Sequence, residues 1–201
     1  EINECVCCII DDDVNKHFRY IDGVQIVGGR EDILLNVEKY KIEKDKASID
    51  IGVRVEVPSH IMDPLEDFYE AKIVCKGRYG DESRMFCYNR LRAQCVNEKY
   101  DVDGESLVTV NGHAYKSKEF KTNNTNFALL VSHKFTEPFE DPNQFAFSVS
   151  KLANQLSCGS VIVQRFGDIK KGRRSTEKRI KEGFVHPTLK EAVPGDLGLT
   201  L

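Results

Sequence analysis

The sequence predicts an α+β protein in which antiparallel β-sheet predominates. Residues 49–57 alternate apolar and polar side chains without interruption, which is typical of a half-buried strand. Turn-forming residues separate further apolar runs at the spacing of hairpins. Clear helical periodicity begins after Pro138 and Pro142. Successive hairpins followed by a helix build a meander or Greek-key sheet, sandwich-like or barrel-like, and not a parallel βαβ array.

The segment just before this strand, residues 35–42, admits two interpretations. As a helix it continues an apolar stripe that begins at Ile33, whereas as a strand it needs a bulge near Lys39. The polar link formed by residues 44–46 favours a hairpin with the strand at 49–57. We therefore expect residues 35–42 to form a strand.

Two more hairpins are predicted downstream of residue 57. One spans residues 71–96 and turns through residues 79–83. The other turns at Asn111 and Gly112, because both residue types accept the positive φ angles of a type I′ turn. A further strand is expected at residues 127–135, which completes a series of antiparallel neighbours.

Helical spacing of apolar residues marks the C-terminal third of the chain. It runs over residues 144–157, and Gly159 follows as a stop signal. Residues 160–166 then predict a buried strand. Residues 175–181 predict a short polar helix with a Ser or Thr cap.

The length of 201 residues suits one domain. We expect a β-rich domain over residues 1–183 and an extended tail over residues 184–201, because the last stretch carries Gly, Pro and scattered Leu. Apolar residues make up 40% of the chain and charged residues 30%, which suits a soluble globular protein with a core. No uncharged apolar run approaches the roughly 18 residues of a membrane span, so no membrane insertion is expected.

The seven cysteines bear on the cellular compartment. Their odd number and their positions in apolar, strand-like runs favour free thiols in a reducing compartment, cytoplasmic or nuclear. Residues 123–125 form a glycosylation sequon, which leaves secretion open. A disulfide between Cys75 and Cys87 also stays open, since the two residues lie opposite each other if the hairpin turns about Asp81.

Motifs of catalysis and metal binding are sparse. The acidic triplet Asp11–Asp13 follows an apolar run, as in several magnesium-dependent phosphotransferases, but no βα alternation follows it. Cys5, Cys7 and Cys8 lack the spacing of a zinc knuckle. No nucleophile elbow, Walker A loop or dinucleotide fingerprint occurs in the sequence. We therefore predict no catalytic residue, no metal site and no cofactor.

One segment near the C-terminal end differs in charge from the rest of the chain. Residues 165–181, here named the basic segment, hold eight Lys or Arg against two acidic residues. Its net charge is +6 within a chain of −3, so the other residues together carry −9. This asymmetry indicates a polyanionic partner, because Lys and Arg neutralise phosphates. The predicted anion-binding residues are Arg165, Lys170, Lys171, Arg173, Arg174, Lys178, Arg179 and Lys181.

The side chains of the basic segment suggest a division of roles. Arg173 and Arg174 are expected to make bidentate contacts with phosphate or carboxylate, because the planar guanidinium suits both. Phe166 and Phe184 flank the charges, and no aromatic side chains interleave with them as single-strand binders prefer. The expected point charges are Lys170, Lys171, Lys178 and Arg179.

This pattern favours a non-enzymatic binding or assembly protein whose basic segment contacts nucleic acid or an acidic partner surface. One alternative is an enzyme with a small-ligand pocket inside the curved sheet. The polar groups of such a pocket would come from Tyr40, Asp50, Tyr69, Tyr88 and His113. A second alternative is a structural subunit that self-assembles, for example as a homo-oligomer, through strand edges or through residues 191–201.

Overall fold

The computed structural model describes residues 6–41, 48–65, 67–68, 70–78, 80, 82–90, 93–102, 104–115, 122–133 and 141–199. Contacts divide the chain into two compact units, Glu1–Lys46 and Ala47–Leu201. Antiparallel strands predominate among the described residues and short helices accompany them, which confirms the predicted α+β class. Of the helices in these residues, none has both the length and the apolar character needed to cross a bilayer.

The first unit contains a small three-stranded sheet. Two short strands, β1 (Ile9–Ile10) and β2 (Tyr20–Ile21), flank β3 (Val24–Gly28). β1 is parallel to β3, and β2 is antiparallel to it. Ile26, at the centre of β3, is 1% exposed, so the middle strand supplies the buried centre of this unit.

The strand predicted at residues 35–42 is wrong. Ile33–Lys39 form helix α1 instead. The side chain of Asn36 is buried and donates a hydrogen bond to the Asp32 carbonyl at 2.9 Å, which fixes the first turn. The apolar stripe at helical spacing therefore outweighs the hairpin interpretation, whose polar link at residues 44–46 lies outside the described residues.

Among the described residues of the second unit, six strands form two antiparallel arrangements. The order β4-β9-β6-β5 makes one sheet, and β7 pairs with β8 as a hairpin. β4 confirms the alternating strand, and β9 confirms the strand expected at residues 127–135 as far as residue 133, beyond which the chain lies outside the described part. The strands are β4 (Ile49–Pro58), β5 (Val74–Lys76), β6 (Glu82–Asn89), β7 (Ala93–Val102), β8 (Glu105–Ala114) and β9 (Asn124–His133).

β5 and β6 form the core of the hairpin predicted over residues 71–96, with a different register. Cys75 lies opposite Ser83, so Cys87 is not its cross-strand neighbour. Both thiols are free. An irregularity at the end of β6 contains Cys87, whose φ is +50°, and this residue leaves the regular ladder.

The turn predicted at Asn111 and Gly112 is also wrong. Both residues lie inside β8 and pair with β7. The connection between these two strands is two residues long, since Val102 pairs with Glu105. It includes Gly104 at a φ of +81°, which is the left-handed conformation that glycine accepts without strain.

Gly112 has a packing role instead of a turn role. Arg54 donates from Nε and Nη2 to Asn126 Oδ1 at 2.9 and 2.7 Å. A Cβ at position 112 would overlap the Arg54 guanidinium and the Asn126 amide. A larger residue at this position of β8 would therefore have to displace the Arg54 guanidinium or the Asn126 amide and disturb the hydrogen bonds between them.

The predicted amphipathic helix is confirmed as α2 (Pro142–Leu156). The carboxylate of Asp141 caps its first turn by accepting the Gln144 amide at 3.0 Å. Asn154 is buried, and its side chain accepts from the Val108 amide at 2.8 Å and donates to the Val108 carbonyl at 2.7 Å. These two bonds fix α2 to β8.

The basic segment is inserted between two short paired strands. β10 (Ile162–Val163) is shorter than the strand expected there, and it is followed by α3 (Phe166–Ile169) and α4 (Glu177–Lys181). Thr176 caps α4, which confirms the short polar helix. β11 (Val193–Pro194) then pairs with β10 in parallel, so both ends of the insertion are held together.

The residues after α4 are fixed to the sheets of the second unit. Thr188 donates its hydroxyl to Glu56 Oε1 at 2.6 Å and accepts the Cys95 amide at 2.8 Å. Leu189 packs with Cys95 and Val161 in one buried apolar cluster. These contacts attach the chain between the basic segment and β11 to the sheets. A second apolar cluster consists of Ala71, Met85 and Tyr88.

Candidate anion-binding surface

The basic segment is folded around a buried carboxylate. Asp168 in α3 is 2% exposed, and Ser175 is 0% exposed. The Asp168 carboxylate accepts hydrogen bonds from Arg173 Nε at 2.7 Å and from the Ser175 hydroxyl at 2.8 Å. The same hydroxyl accepts the Arg165 amide at 2.9 Å, and the Ser175 amide donates to the Gly195 carbonyl at 2.9 Å. These bonds tie the turn between α3 and α4 to the chain after β11.

Arg173 stabilises the buried carboxylate of Asp168. Its hydrogen bond, followed by that of Ser175, lowers the pKa of Asp168 below the ordinary value, because both donors favour the ionised carboxylate. The Arg173 side chain is 44% exposed, yet its Nε is engaged inside the fold. The sequence predicts a bidentate external contact of Arg173, and such a contact would compete with the bond to Asp168 if it used Nε.

Three other arginines of the basic segment, Arg165, Arg174 and Arg179, form an arginine cluster. Arg165 Nη1 donates to the Arg179 carbonyl at 3.1 Å, and Arg179 Nη1 donates to the Arg174 carbonyl at 3.4 Å. Arg174 Nη2 donates to the Pro194 carbonyl at 3.1 Å. Within the part of the chain that the structure describes, no carboxylate oxygen lies within 4.0 Å of these guanidinium groups. Carbonyl acceptors orient these cations without neutralising them, and the charge of Arg179 also helps to lower the pKa of Asp168.

The two lysines of α4 carry only weak ion pairs. Lys178 lies 3.9 Å from Glu182, and Lys181 lies 3.8 Å from Glu177. All four side chains are exposed, and exposed pairs of this kind contribute about 0–1 kcal/mol. A polyanion can therefore displace these glutamates at little cost.

Lys170 and Lys171 occupy the turn that follows α3, next to an exposed aromatic ring. Neither lysine has a carboxylate within 4.0 Å among the described residues. Lys170 Nζ lies 5.9 Å from the centroid of the Phe166 ring, and Phe166 is 74% exposed. Phe184 is exposed as well, and it meets His60 edge to face at 6.3 Å between ring centroids.

All eight predicted cations lie in the insertion between β10 and β11. Seven of them are exposed and Arg179 is half-buried. An open groove lies next to two of them, and its lining includes Arg173, Arg174 and Asp196. The sequence identified the charges but not the buried role of Asp168, whose only signal was its position as an acidic residue among cations.

The polar residues suggested for a ligand pocket lie on different elements of the structure. Asp50 lies on β4, where it pairs with an arginine of β6 at 2.9 Å. Tyr88 belongs to a buried apolar cluster, and His113 lies on β8. Tyr40 belongs to the first unit, and Tyr69 lies outside the described residues. Asp50, Tyr88 and His113 thus occupy three different strands.

The three aspartates that follow β1 are bound within the first unit. Asp11 pairs with Lys16 at 2.9 Å, and Asp12 pairs with Arg30. Asp13 accepts the amide two residues further along at 3.0 Å. In the described ranges, no three His, Cys, Asp or Glu side chains gather into a group that could hold a metal ion.

No protein-family model matches this chain, and no curated protein matches it significantly.

Proposed function

We propose that this protein is a non-enzymatic nucleic-acid-binding protein whose basic segment contacts the phosphate backbone. The observation that supports this function is the arginine cluster. Its guanidinium groups have carbonyl partners at 3.1–3.4 Å and, within the described residues, no carboxylate within 4.0 Å. The whole basic segment carries a net charge of +6, and a bound anion lowers the repulsion among its cations.

Phosphate is the anion that suits these donors best. The guanidinium presents its N–H groups in a planar fork that matches two oxygens of a phosphate. The buried bonds of Asp168 and Ser175 hold the backbone from which Arg165 and Arg174 extend. The donors are therefore positioned before a ligand arrives, which reduces the entropy lost on binding.

The exposed lysines extend the positive charge beyond the arginine cluster. Lys170 and Lys171 follow α3, whereas Lys178 and Lys181 lie on α4. One isolated phosphate can contact few of these groups, but a polymer with repeated phosphates can contact several at once. Each such contact releases condensed counterions, so affinity accumulates along the strand without sequence preference.

Binding of labelled RNA and DNA oligonucleotides at about 50 mM and about 200 mM salt tests this function. Five or more phosphate contacts predict an affinity at least roughly 100-fold weaker at the higher salt concentration. Polyglutamate of equal charge represents the acidic protein surface. Preferential binding of the oligonucleotides supports the proposal. Equal or tighter binding of polyglutamate, or no binding of an oligonucleotide at the lower salt concentration, overturns it.

A further inference from the structure

Phe166 presents an exposed aromatic ring among the cations of the basic segment. It is the first residue of α3 and directly follows Arg165 of the arginine cluster. Its side chain is among the most exposed large apolar groups of the second unit, at 74%. Lys170 Nζ lies 5.9 Å from the ring centroid, within the range of a cation–π contact. An apolar surface of this kind, placed between positive charges, suits a ligand that is both planar and anionic.

The fold fixes the position of this ring. The amides of Ile169 and Lys170 donate to the carbonyls of Arg165 and Phe166 at 3.1 and 3.0 Å. These two bonds form the helical turn that begins at Phe166. Asp168, two residues after Phe166, is buried against Ser175. The backbone next to the ring is therefore held on its inner side by hydrogen bonds, and the ring is exposed to solvent.

We infer that the basic segment takes single-stranded nucleic acid, with one base stacked on Phe166 and the neighbouring phosphates on Arg165 and Lys170. This inference rests on the proposed function. In a single strand the flat faces of the bases are accessible to aromatic side chains, whereas in a duplex they are covered by the adjacent base pairs. A polyanion without bases, or an acidic peptide, has no planar face to offer this ring.

The chain contains no tryptophan, so Phe166→Trp introduces a single fluorophore at the stacking position. The full chain is titrated with single-stranded polyuridylate of about 15 nucleotides, with an RNA duplex of equal length, and with inorganic polyphosphate of equal charge. We expect the single strand to quench the tryptophan strongly. We expect polyphosphate to bind without comparable quenching, and the duplex to bind more weakly than the single strand.

Phe166→Ala separates stacking from charge. We expect this variant to bind single-stranded polyuridylate about tenfold more weakly, because loss of one base–aromatic stack commonly has an effect of this size. Its affinity for polyphosphate should not change. Phe68 is the matched control, since its ring is also exposed, at 58%, and lies outside the basic segment. Phe68→Ala should alter neither affinity. Circular dichroism and the melting temperature establish that each variant is folded.

The outcomes distinguish the stacking inference from the proposed function. If the tryptophan is not quenched by a bound single strand, or if Phe166→Ala binds polyuridylate as tightly as the wild type does, stacking on Phe166 is refuted while phosphate binding stands. If the wild-type protein binds neither polyuridylate nor polyphosphate, the proposed function fails as well.

Discussion

Arg173 and Asp168 form the ion pair on which the shape of the basic segment depends. Arg173 Nε lies 2.7 Å from Asp168 Oδ1, and the Asp168 residue is 2% exposed. The Ser175 hydroxyl adds a second hydrogen bond to the same carboxylate at 2.8 Å. One cation of the segment is thus used inside the fold. The Nε of Arg173 therefore holds the turn between α3 and α4, from which Arg174 extends.

Asp168→Asn should lower the melting temperature at neutral pH, because it replaces the ionised partner of Arg173 with a neutral amide. The pKa of Asp168 is lowered in the folded protein. Its carboxylate therefore stabilises the fold above its ordinary pKa of about 3.9, and this contribution is lost as the pH falls through the lowered value. The melting temperatures of wild type and variant should differ most above about pH 5, begin to approach each other near about pH 4, and converge only below the lowered pKa of the folded protein.

Differential scanning fluorimetry from neutral to acidic pH measures this effect. Glu177→Gln serves as the control, because Glu177 pairs with Lys181 and both side chains are 79% exposed. The control should melt as the wild type does throughout. An Asp168→Asn variant with an unchanged melting temperature at neutral pH, or a difference that grows on acidification, would show that the buried pair does not stabilise the segment.

Gly112→Ala should destabilise the second unit. The added Cβ would overlap the guanidinium of Arg54 and the amide of Asn126, which are joined by hydrogen bonds at 2.7 and 2.9 Å. Overpacking of this kind typically lowers the free energy of unfolding by about 1–3 kcal/mol. Chemical denaturation measures the change. Gly167→Ala is the matched control, because a Cβ there meets no atom within 4 Å. Equal stability of the two variants would contradict the close approach at Gly112.

Cys95 should be the slowest of the described thiols to react with iodoacetamide in the native protein. Burial, followed by the charge of Glu56, raises the pKa of Cys95 to about 12, so the reactive thiolate is scarce at mildly alkaline pH. The exposed thiols should be modified first, and among the described residues these are Cys7, Cys75, Cys87 and Cys158. Mass spectrometry of timed samples measures the order. Denatured protein is the control, in which Cys95 should react as the others do. Rapid native modification of Cys95 would refute its burial.

Elements that depend on neighbouring residues could be predicted from the sequence. The alternation over residues 49–57 predicts β4, because every second side chain of a strand shares one face. The spacing of apolar residues predicts α2, and the hydroxyl of Thr176 marks the start of α4. In each of these cases the local pattern and the tertiary contacts favour the same conformation.

Elements that depend on distant residues could not be predicted in this way. Asn111 and Gly112 have the composition of a type I′ turn, but Gly112 is glycine because Arg54, far away in the sequence, packs against it. The turn lies instead at Gly104, whose φ is +81°. The sequence Asp103-Gly104 is also typical of a hairpin turn. For residues 35–42 the sequence shows both a helical stripe and a polar link that favours a hairpin, and the structure has the helix over Ile33–Lys39. Local chemistry alone does not rank such alternatives.

The same distinction between local and distant contacts applies to the candidate site. The eight cations and their net charge could be read directly from the sequence. Their partners could not, because the burial of Asp168 and the carbonyl contacts of Arg165 and Arg174 exist only once α3, α4 and β11 are packed. Phe166 was visible as an aromatic residue near the charges, whereas its exposure and its contact with Lys170 required the structure.

Charge reversal in the turn after α3 tests the central claim most directly. The double variant Lys170→Glu and Lys171→Glu is compared with Lys72→Glu and Lys99→Glu, which alter two exposed lysines outside the basic segment and change the net charge equally. Fluorescence anisotropy of labelled single-stranded RNA at about 50 mM salt gives the two affinities. We predict that the first variant binds at least about tenfold more weakly than wild type and that the second stays within about twofold. Equal losses in both variants, or full affinity in the first, would contradict binding through the basic segment.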